Sequence, residues 1–261
     1  MIAPERAGIF AVRAFCVAVL AFLLLPIVVI VPLSFSSSSF LVYPVPGWSL
    51  QWYRELFVSP EWLRAARNSF IVAPAATLIA TVLGTLAAVG LARARFPGKS
   101  ALLAVLIAPM IVPIVVVGVG TYLFFARLGL SDTYLGLIVV HAALGAPFVL
   151  TTVSATLQGF DPNLVRASRS LGASPFETFF RVTLPLIAPG VIAGALFAFA
   201  TSFDEVVVTL FLAGPSQVTL PRQMFTGIRE NITPVIAAVA TLLIVFTTGL
   251  MLVLEWLRGR N

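Results

Sequence analysis

Few residues in this 261-residue chain have the types and spacing to do chemistry, and the first of them are two adjacent acids, Asp204 and Glu205. They interrupt an apolar stretch that resumes as Val206 to Ala213. Carboxylates in such a run are costly to keep ionised unless they face water or a partner charge, so the pair is a candidate for drawing in a cation. On a continuous helix Thr201, Glu205 and Thr209 recur at i, i+4 and i+8 as one polar stripe, with Asp204 beside it. The competing assignment is an interhelix salt bridge to Arg222 or Arg229. Other reactive types are scarce: His141 is the only His and Cys16 the only Cys. No disulfide and no cysteine metal site can be built from that inventory, and no catalytic or metal-binding residue is expected. A lone His in an apolar run is expected to be a hydrogen-bonded structural residue. Gly98-Lys99-Ser100 has the look of a phosphate-loop end, but Arg93 stands five residues before Gly98 where that loop requires Gly.

The elements that must position these residues are membrane spans. The chain is 60% apolar and 10% charged, where a soluble domain carries about 25% charged residues. Mean hydropathy is +1.07, and the apolar residues lie in blocks that reach the roughly 20 residues a bilayer-crossing helix needs. Six spans are expected, over about residues 12–33, 69–92, 101–126, 134–157, 186–213 and 235–257, in a single transmembrane domain covering 1–261. With both termini on one side, that side holds ten Lys/Arg and four acids, and the other holds six of each. Positive charge marks the cytoplasmic face, so both termini and the segment 158–185 are expected there. The net charge of +6 is thereby read as topology, and no nucleic-acid partner is expected. Trp48, Trp52 and Trp62 fall in the first outer loop and Trp256 at the far end of the last span, the placement of an interfacial aromatic belt. Pro109 and Pro113 predict a kink in the third span, and Gly190, Gly194 and Ala198 give the fifth a small-residue face.

The segment 158–185 is too polar to span and too well punctuated for a slack loop. Asp161-Pro162 is an N-cap followed by Pro at the first helical position, and Gly172 supplies a left-handed stop. Ser174, Pro175 and Glu177 repeat the start signal as a capping box. Two short helices are expected, the second ending at or before Pro185. Its apolar face comprises Phe176, Phe179 and Phe180, while Arg166, Arg169 and Arg181 remain open to water or a partner.

Residues Arg166 to Gly172, then nine residues, then Val182-Thr183-Leu184-Pro185 resemble in spacing the EAA loop of ABC-transporter permeases. Gly and Leu-Pro are in register, whereas Arg166 replaces the motif's Glu and Ser168 its second Ala. Asn68-Ser69, Pro109-Met110 and the run Ser202 to Val208 extend the resemblance over nearly the whole chain, towards the second permease of spermidine/putrescine importers. Opine, phosphonate and amino-acid-derivative importers share much of the pattern. The resemblance implies an all-α, type I importer permease fold with six transmembrane helices and a cytoplasmic coupling-helix pair, in a prokaryotic inner membrane. It implies that Arg166, Ala167, Arg169, Gly172, Ala173, Ser174, Phe176, Glu177, Leu184 and Pro185 couple to an ATPase dimer. It also implies a second homologous permease, an extracytoplasmic solute-binding protein, surrounding lipid and a small-molecule solute. This chain is then no enzyme and binds no cofactor, ATP and magnesium belonging to the ATPase. Of two rival classes, a self-sufficient secondary transporter or channel would show inverted repeats or several paired intramembrane charges, where the sequence shows one acidic pair and no visible repeat, and an intramembrane enzyme would need a catalytic constellation, where it has one His and one Cys.

Overall fold

The computed structural model describes residues 3–230 and 232–258. Arg260, and the side chains of Arg6, Trp256 and Arg258 that enter the charge and tryptophan arguments, lie outside the described residues. The elements are α1 (Ala3–Leu33), α2 (Gln51–Val58), α3 (Pro60–Arg93), α4 (Lys99–Ile111), α5 (Ile114–Leu128), α6 (Tyr134–Gln158), α7 (Pro162–Ser170), α8 (Pro175–Thr178), a π turn (Phe179–Thr183), α9 (Leu184–Phe203), α10 (Val207–Leu212), α11 (Leu220–Glu230) and α12 (Pro234–Arg258). Five helical stretches are long and apolar enough to cross a membrane: Val12–Leu33, Pro60–Arg93, Tyr134–Gln158, Pro175–Phe203 and Pro234–Leu252. A sixth crossing exists if α4 and α5 count as one broken span.

The breaks follow from local chemistry. The sequence suggests a kink in span three, and the structure makes a 104° bend between α4 and α5. Pro113 has no N–H with which to continue α4, and it forces Val112 before it into an extended conformation (φ −69°, ψ 133°). Span five, expected as one helix over 186–213, is also interrupted: α9 stops at Phe203 and α10 starts at Val207. The expected stop at Pro185 is absent. Pro185 cannot donate to the carbonyl four residues back, and the chain answers with a π turn in which Leu184 N–H donates to Phe179 O. Helical structure therefore runs unbroken from Pro175 to Phe203.

The chain forms two compact units, one from the residues up to Leu63 together with those from Met224, the other over Arg64–Gln223. In the first, α12 packs on both α1 and α2. Its loop between α1 and α2 is pinned by Trp52, whose indole N–H donates to Ser36 O at 2.6 Å, and by Tyr53, whose hydroxyl meets Ser34 Oγ at 2.7 Å. Trp52 and Trp62 are buried and only Trp48 is exposed, so the expected aromatic belt in this loop reduces to one ring.

In the second unit the main interface is α6 against α9. It closes because Gly190 and Gly194 have no side chain to hold the helices apart: a Cβ on Gly194 would lie 2.7 Å from Val149 Cα. Ala76 and Ala80 of α3, Val149 and Val153 of α6, and Ile187 and Ala198 of α9 fill the same core. Thr152 and Thr156 satisfy their hydroxyls on Phe148 O and Thr152 O at 2.8 and 3.0 Å, which makes them tolerable in apolar surroundings. A second core joins Val72, Phe125, Leu137, Val140, Val208 and Leu212 from α3, α5, α6 and α10.

Candidate functional site: a capped helix pair and an acidic helix break

The α7–α8 segment is built by its caps. Asp161 Oδ1 accepts from Asn163 N–H at 2.9 Å and starts α7. Gly172 ends it in the left-handed region at φ +87°, with Ala173 N–H donating to Ser168 O at 3.2 Å. Ser174 and Glu177 then form the reciprocal capping box, Glu177 N–H to Ser174 Oγ at 3.2 Å and Ser174 N–H to Glu177 Oε2 at 2.9 Å. Across the turn Ser168 Oγ and Thr178 Oγ1 are 3.1 Å apart and hydrogen-bonded. Thr178, Thr183 and Val165 are buried, so the pair is clamped on its inner side.

Its outer side is apolar as well as basic. Leu171 is 89% and Phe176 72% exposed, and the Phe176 and Phe180 rings meet at 4.5 Å, tilted by 48°, on that surface. The sequence pattern assigns Phe176, Phe179 and Phe180 to one apolar face; the structure leaves two of the three, Phe176 and Phe180, pointing outward. Arg166, Ala167 and Arg169 are exposed, Ala173 and Leu184 half-buried and Pro185 exposed. Arg166 donates to Asn163 Oδ1 at 3.3 Å within its own helix. A pair of capped helices presenting Leu171, Phe176 and three arginines can receive a groove with apolar walls and acidic rims.

At the other end of α9, the two acids are separated by the helix break and do different things. Asp204 closes α9, its N–H bonded to Ala200 O at 3.0 Å, and its side chain is exposed. Glu205 is half-buried; its Oε1 accepts from Val208 N–H at 2.7 Å and so caps α10. The expected stripe of Thr201, Glu205 and Thr209 on one continuous helix is not formed, since the helix restarts between the second and third members. Thr209 is buried and hydrogen-bonds Glu205 O at 3.2 Å, while Thr201 is half-buried on α9. His141 of α6 braces the break: Nδ1 lies 3.1 Å from Ser202 O and 2.9 Å from Ser202 Oγ, and Nε2 lies 3.2 Å from Thr209 Oγ1. The lone His is thus the hydrogen-bonded structural residue expected. Arg222, one of the two basic residues considered as partners for the acids, instead donates to Ala213 O. Burial lowers its basicity and nearby Asp132 opposes that shift. Arg229 lies over the Phe225 ring at 6.0 Å.

Sequence reasoning did not assign a role to Asn68. Fully buried near the start of α3, it donates to Ser216 O and Val218 O at 2.9 and 2.8 Å and accepts from Tyr134 O–H at 2.7 Å. Ser69 Oγ accepts from Leu220 N–H at 2.9 Å. The two residues fix the loop between α10 and α11. An Asn-Ser pair opening an apolar run is the only signal the sequence offered.

Membrane-length helices joined by a capped pair, with an exposed acid at a helix break at the other end of α9, are the architecture of a multi-span membrane protein. The chain belongs to the family described as the binding-protein-dependent transport system inner membrane component, which matches residues 80–260. It is 33% identical over 249 residues to the spermidine/putrescine transport system permease protein PotC of Haemophilus influenzae, spanning 95% of this chain and 96% of that protein. It is 35% identical over 230 residues to the putrescine transport system permease protein PotI of Escherichia coli K12, spanning 85% and 82%. A crystal structure of a bacterial ABC transporter involved in the import of the acidic polysaccharide alginate shares the fold, with a TM-score of 0.79, 15% identity and 97% of each chain covered. The chain is therefore a multi-pass permease subunit of an ABC importer, as its helical architecture and loop spacing led us to expect.

Proposed function

We propose that the solute is a polyamine or a related small cationic amine and that Asp204 meets it at the outer end of the pathway. The observation that carries this is the exposed carboxylate of Asp204 at the break between α9 and α10. The names of the relatives, spermidine/putrescine and putrescine permeases, point the same way. A fixed negative charge at a low-dielectric mouth raises the local concentration of cations and repels anions. Glu205 and Thr201, both half-buried, supply polar lining beside it, whereas Thr209, also expected on the pathway, is buried against His141 and Glu205 O.

In this proposal a partner ATPase dimer carries ATP and magnesium, a second homologous permease completes the pathway, and an extracytoplasmic binding protein delivers the solute. Both termini and the 158–185 segment face the cytoplasm, as the ten-to-six distribution of Lys/Arg supports. ATPase closure displaces the coupling residues Arg166, Ala167, Arg169, Gly172, Ala173, Ser174, Phe176, Glu177, Leu184 and Pro185, and α9 transmits that displacement to the mouth.

The test is uptake of radiolabelled putrescine and spermidine in cells lacking their own polyamine importers, with the whole transporter expressed. ATP-dependent accumulation of either, competed by other diamines and not by opines or phosphonates, is expected. Accumulation of an anionic solute with no amine uptake would overturn the solute assignment while leaving the permease family intact.

A further inference from the structure

A second site lies at the opposite end of the same unit, between the last turn of α3, the start of α4 and the last turns of α6. It is a cavity of about 560 Å³ whose lining includes Lys99, Leu103, Ile107, Leu150, Ser154 and Gln158. Its α4 wall is graded. Lys99, Leu103 and Ile107 follow one another at four-residue spacing on one face of α4, the charge in the first turn and the aliphatic side chains farther in. Thr151, Ser154 and Gln158 share one face of α6, with Gln158 at its end and Leu150 two turns deeper. At about 1.5 Å per residue, the α4 wall passes from charged to aliphatic over about 12 Å, whereas the α6 wall carries Ser154 and Gln158 towards the rim and the Thr151–Leu150 pair deeper in.

The polar end is built to donate. Lys99 is half-buried and uses one ammonium proton on Ala94 O at 3.2 Å, leaving two. Ser154 and Gln158 make no side-chain hydrogen bond among the described residues. Thr151 spends its proton on Pro147 O at 2.9 Å. No acid lines the cavity, and Arg93 and Arg95 stand exposed in the adjoining turn, so the positive charge at this rim is uncompensated by the lining.

We propose that this cavity is a binding site for an anionic phospholipid, its phosphodiester held by Lys99, Ser154 and Gln158 and the upper part of one acyl chain lying on Leu103, Ile107 and Leu150. A basic, donor-rich rim above an aliphatic floor between membrane helices is the complement of such a lipid. The charge is of the wrong sign for a cationic solute, so the site is distinct from the mouth at Asp204. Gln158 is followed within four residues by α7, and the lipid therefore sits beside the segment assigned to coupling. The inference requires only that the chain is membrane-embedded, and it stands or falls independently of the solute.

The test uses the assembled transporter, delipidated in mild detergent and titrated with palmitoyl-oleoyl phosphatidylglycerol or with the zwitterionic phosphatidylcholine of the same chains. Bound lipid is counted by native mass spectrometry. Phosphatidylglycerol should bind in preference, and Lys99→Gln should weaken it about fivefold, while Lys99→Arg retains it. Ile107→Trp should weaken it comparably with the charge untouched, and it decides alone if Lys99→Gln fails to assemble. Equal phosphatidylglycerol binding by wild type and Ile107→Trp, no preference over phosphatidylcholine, or a cavity that takes no lipid in the complex would overturn the proposal. Displacement of the lipid by glycerol 3-phosphate at equal concentration would mean a site for free phosphate esters and would overturn it too.

Discussion

Gly172 offers the sharpest perturbation of the proposed coupling, because its backbone and its surroundings can be separated. It sits at φ +87°, and a Cβ built there meets nothing within 4 Å. A substitution is therefore not a packing lesion, and its whole cost is backbone strain. A non-glycine residue in this region costs about 1–3 kcal/mol, least for Asn and most for a β-branched residue. Because about 1.4 kcal/mol is a factor of ten in an equilibrium, Gly172→Val should shift the turn away from its native geometry by about 5- to 150-fold. The hydrogen bonds at risk are Gly172 N–H to Arg169 O at 3.0 Å and Ala173 N–H to Ser168 O at 3.2 Å. The Ser168–Thr178 contact across the turn is lost with them. The expected ranking of uptake per assembled complex is Gly172→Asn, then Ala, then Val, with membrane insertion unchanged because no span is touched. The assay is ATP-dependent uptake in proteoliposomes alongside ATPase activity and the amount of ATPase co-purified. Full uptake by Gly172→Val, or loss of uptake in an order unrelated to φ tolerance, would refute the idea that this turn carries force.

Asn68→Leu removes three hydrogen bonds from a fully buried group and strands two loop carbonyls. It should lower stability by about 2–5 kcal/mol, read as a fall in the thermal midpoint of the purified complex, whereas Asn68→Asp, which keeps one acceptor, should be no better. Asp204→Asn should reduce amine uptake at subsaturating solute with assembly near normal. Glu205→Gln should be mild, since an amide oxygen can still accept from Val208 N–H, and Glu205→Ala should cost about 1 kcal/mol of α10 capping; equal effects of the two isosteric amides on uptake would contradict this division. Reporters fused after Arg258 or inserted at Gly172 should both read cytoplasmic, and one in the loop between α1 and α2 extracytoplasmic; an external signal at either of the first two would overturn the orientation.

What was legible in the sequence was what local chemistry alone decides. The caps at Asp161 and Ser174 and the stop at Gly172 stand where the residue types demanded, because each is satisfied by groups within a few residues. Apolar run length likewise pointed to membrane-length helices, of which there are five, or six if α4 and α5 form one broken span, but not to their breaks. The break after Phe203 was not legible: a run that resumes as Val-Val-Val-Thr-Leu after two acids reads equally well as one helix. It is held by His141, which is distant in sequence and bonds both Ser202 and Thr209. Pro185 misled in the opposite direction, since a missing N–H predicts an end and the π turn supplied a continuation. Trp52 is another case, amphipathic enough for a membrane belt but drawn inward by a backbone carbonyl at Ser36.

The break after Phe203 and the continuation through Pro185 bear directly on how force can travel. Had the helix ended at Pro185, the α7–α8 pair would hang from a hinge, and motion imposed on it would be lost there. Instead α8, the π turn and α9 form one helix of 29 residues from Pro175 to Phe203, about 44 Å long at 1.5 Å per residue. One end carries Phe176 and Phe180; the other delivers Asp204. The side of this rod lies against α6 through glycines, where shape complementarity leaves little slack for sliding. Tilting is the cheaper motion. A tilt requires a compliant joint at the far end, and the interruption between α9 and α10 supplies one, with Glu205 capping the restart and His141 bonded to both sides of the gap. In the proposed mechanism Asp204, placed on that joint, changes its surroundings as the rod tilts, so its contact with the solute would be made and released there.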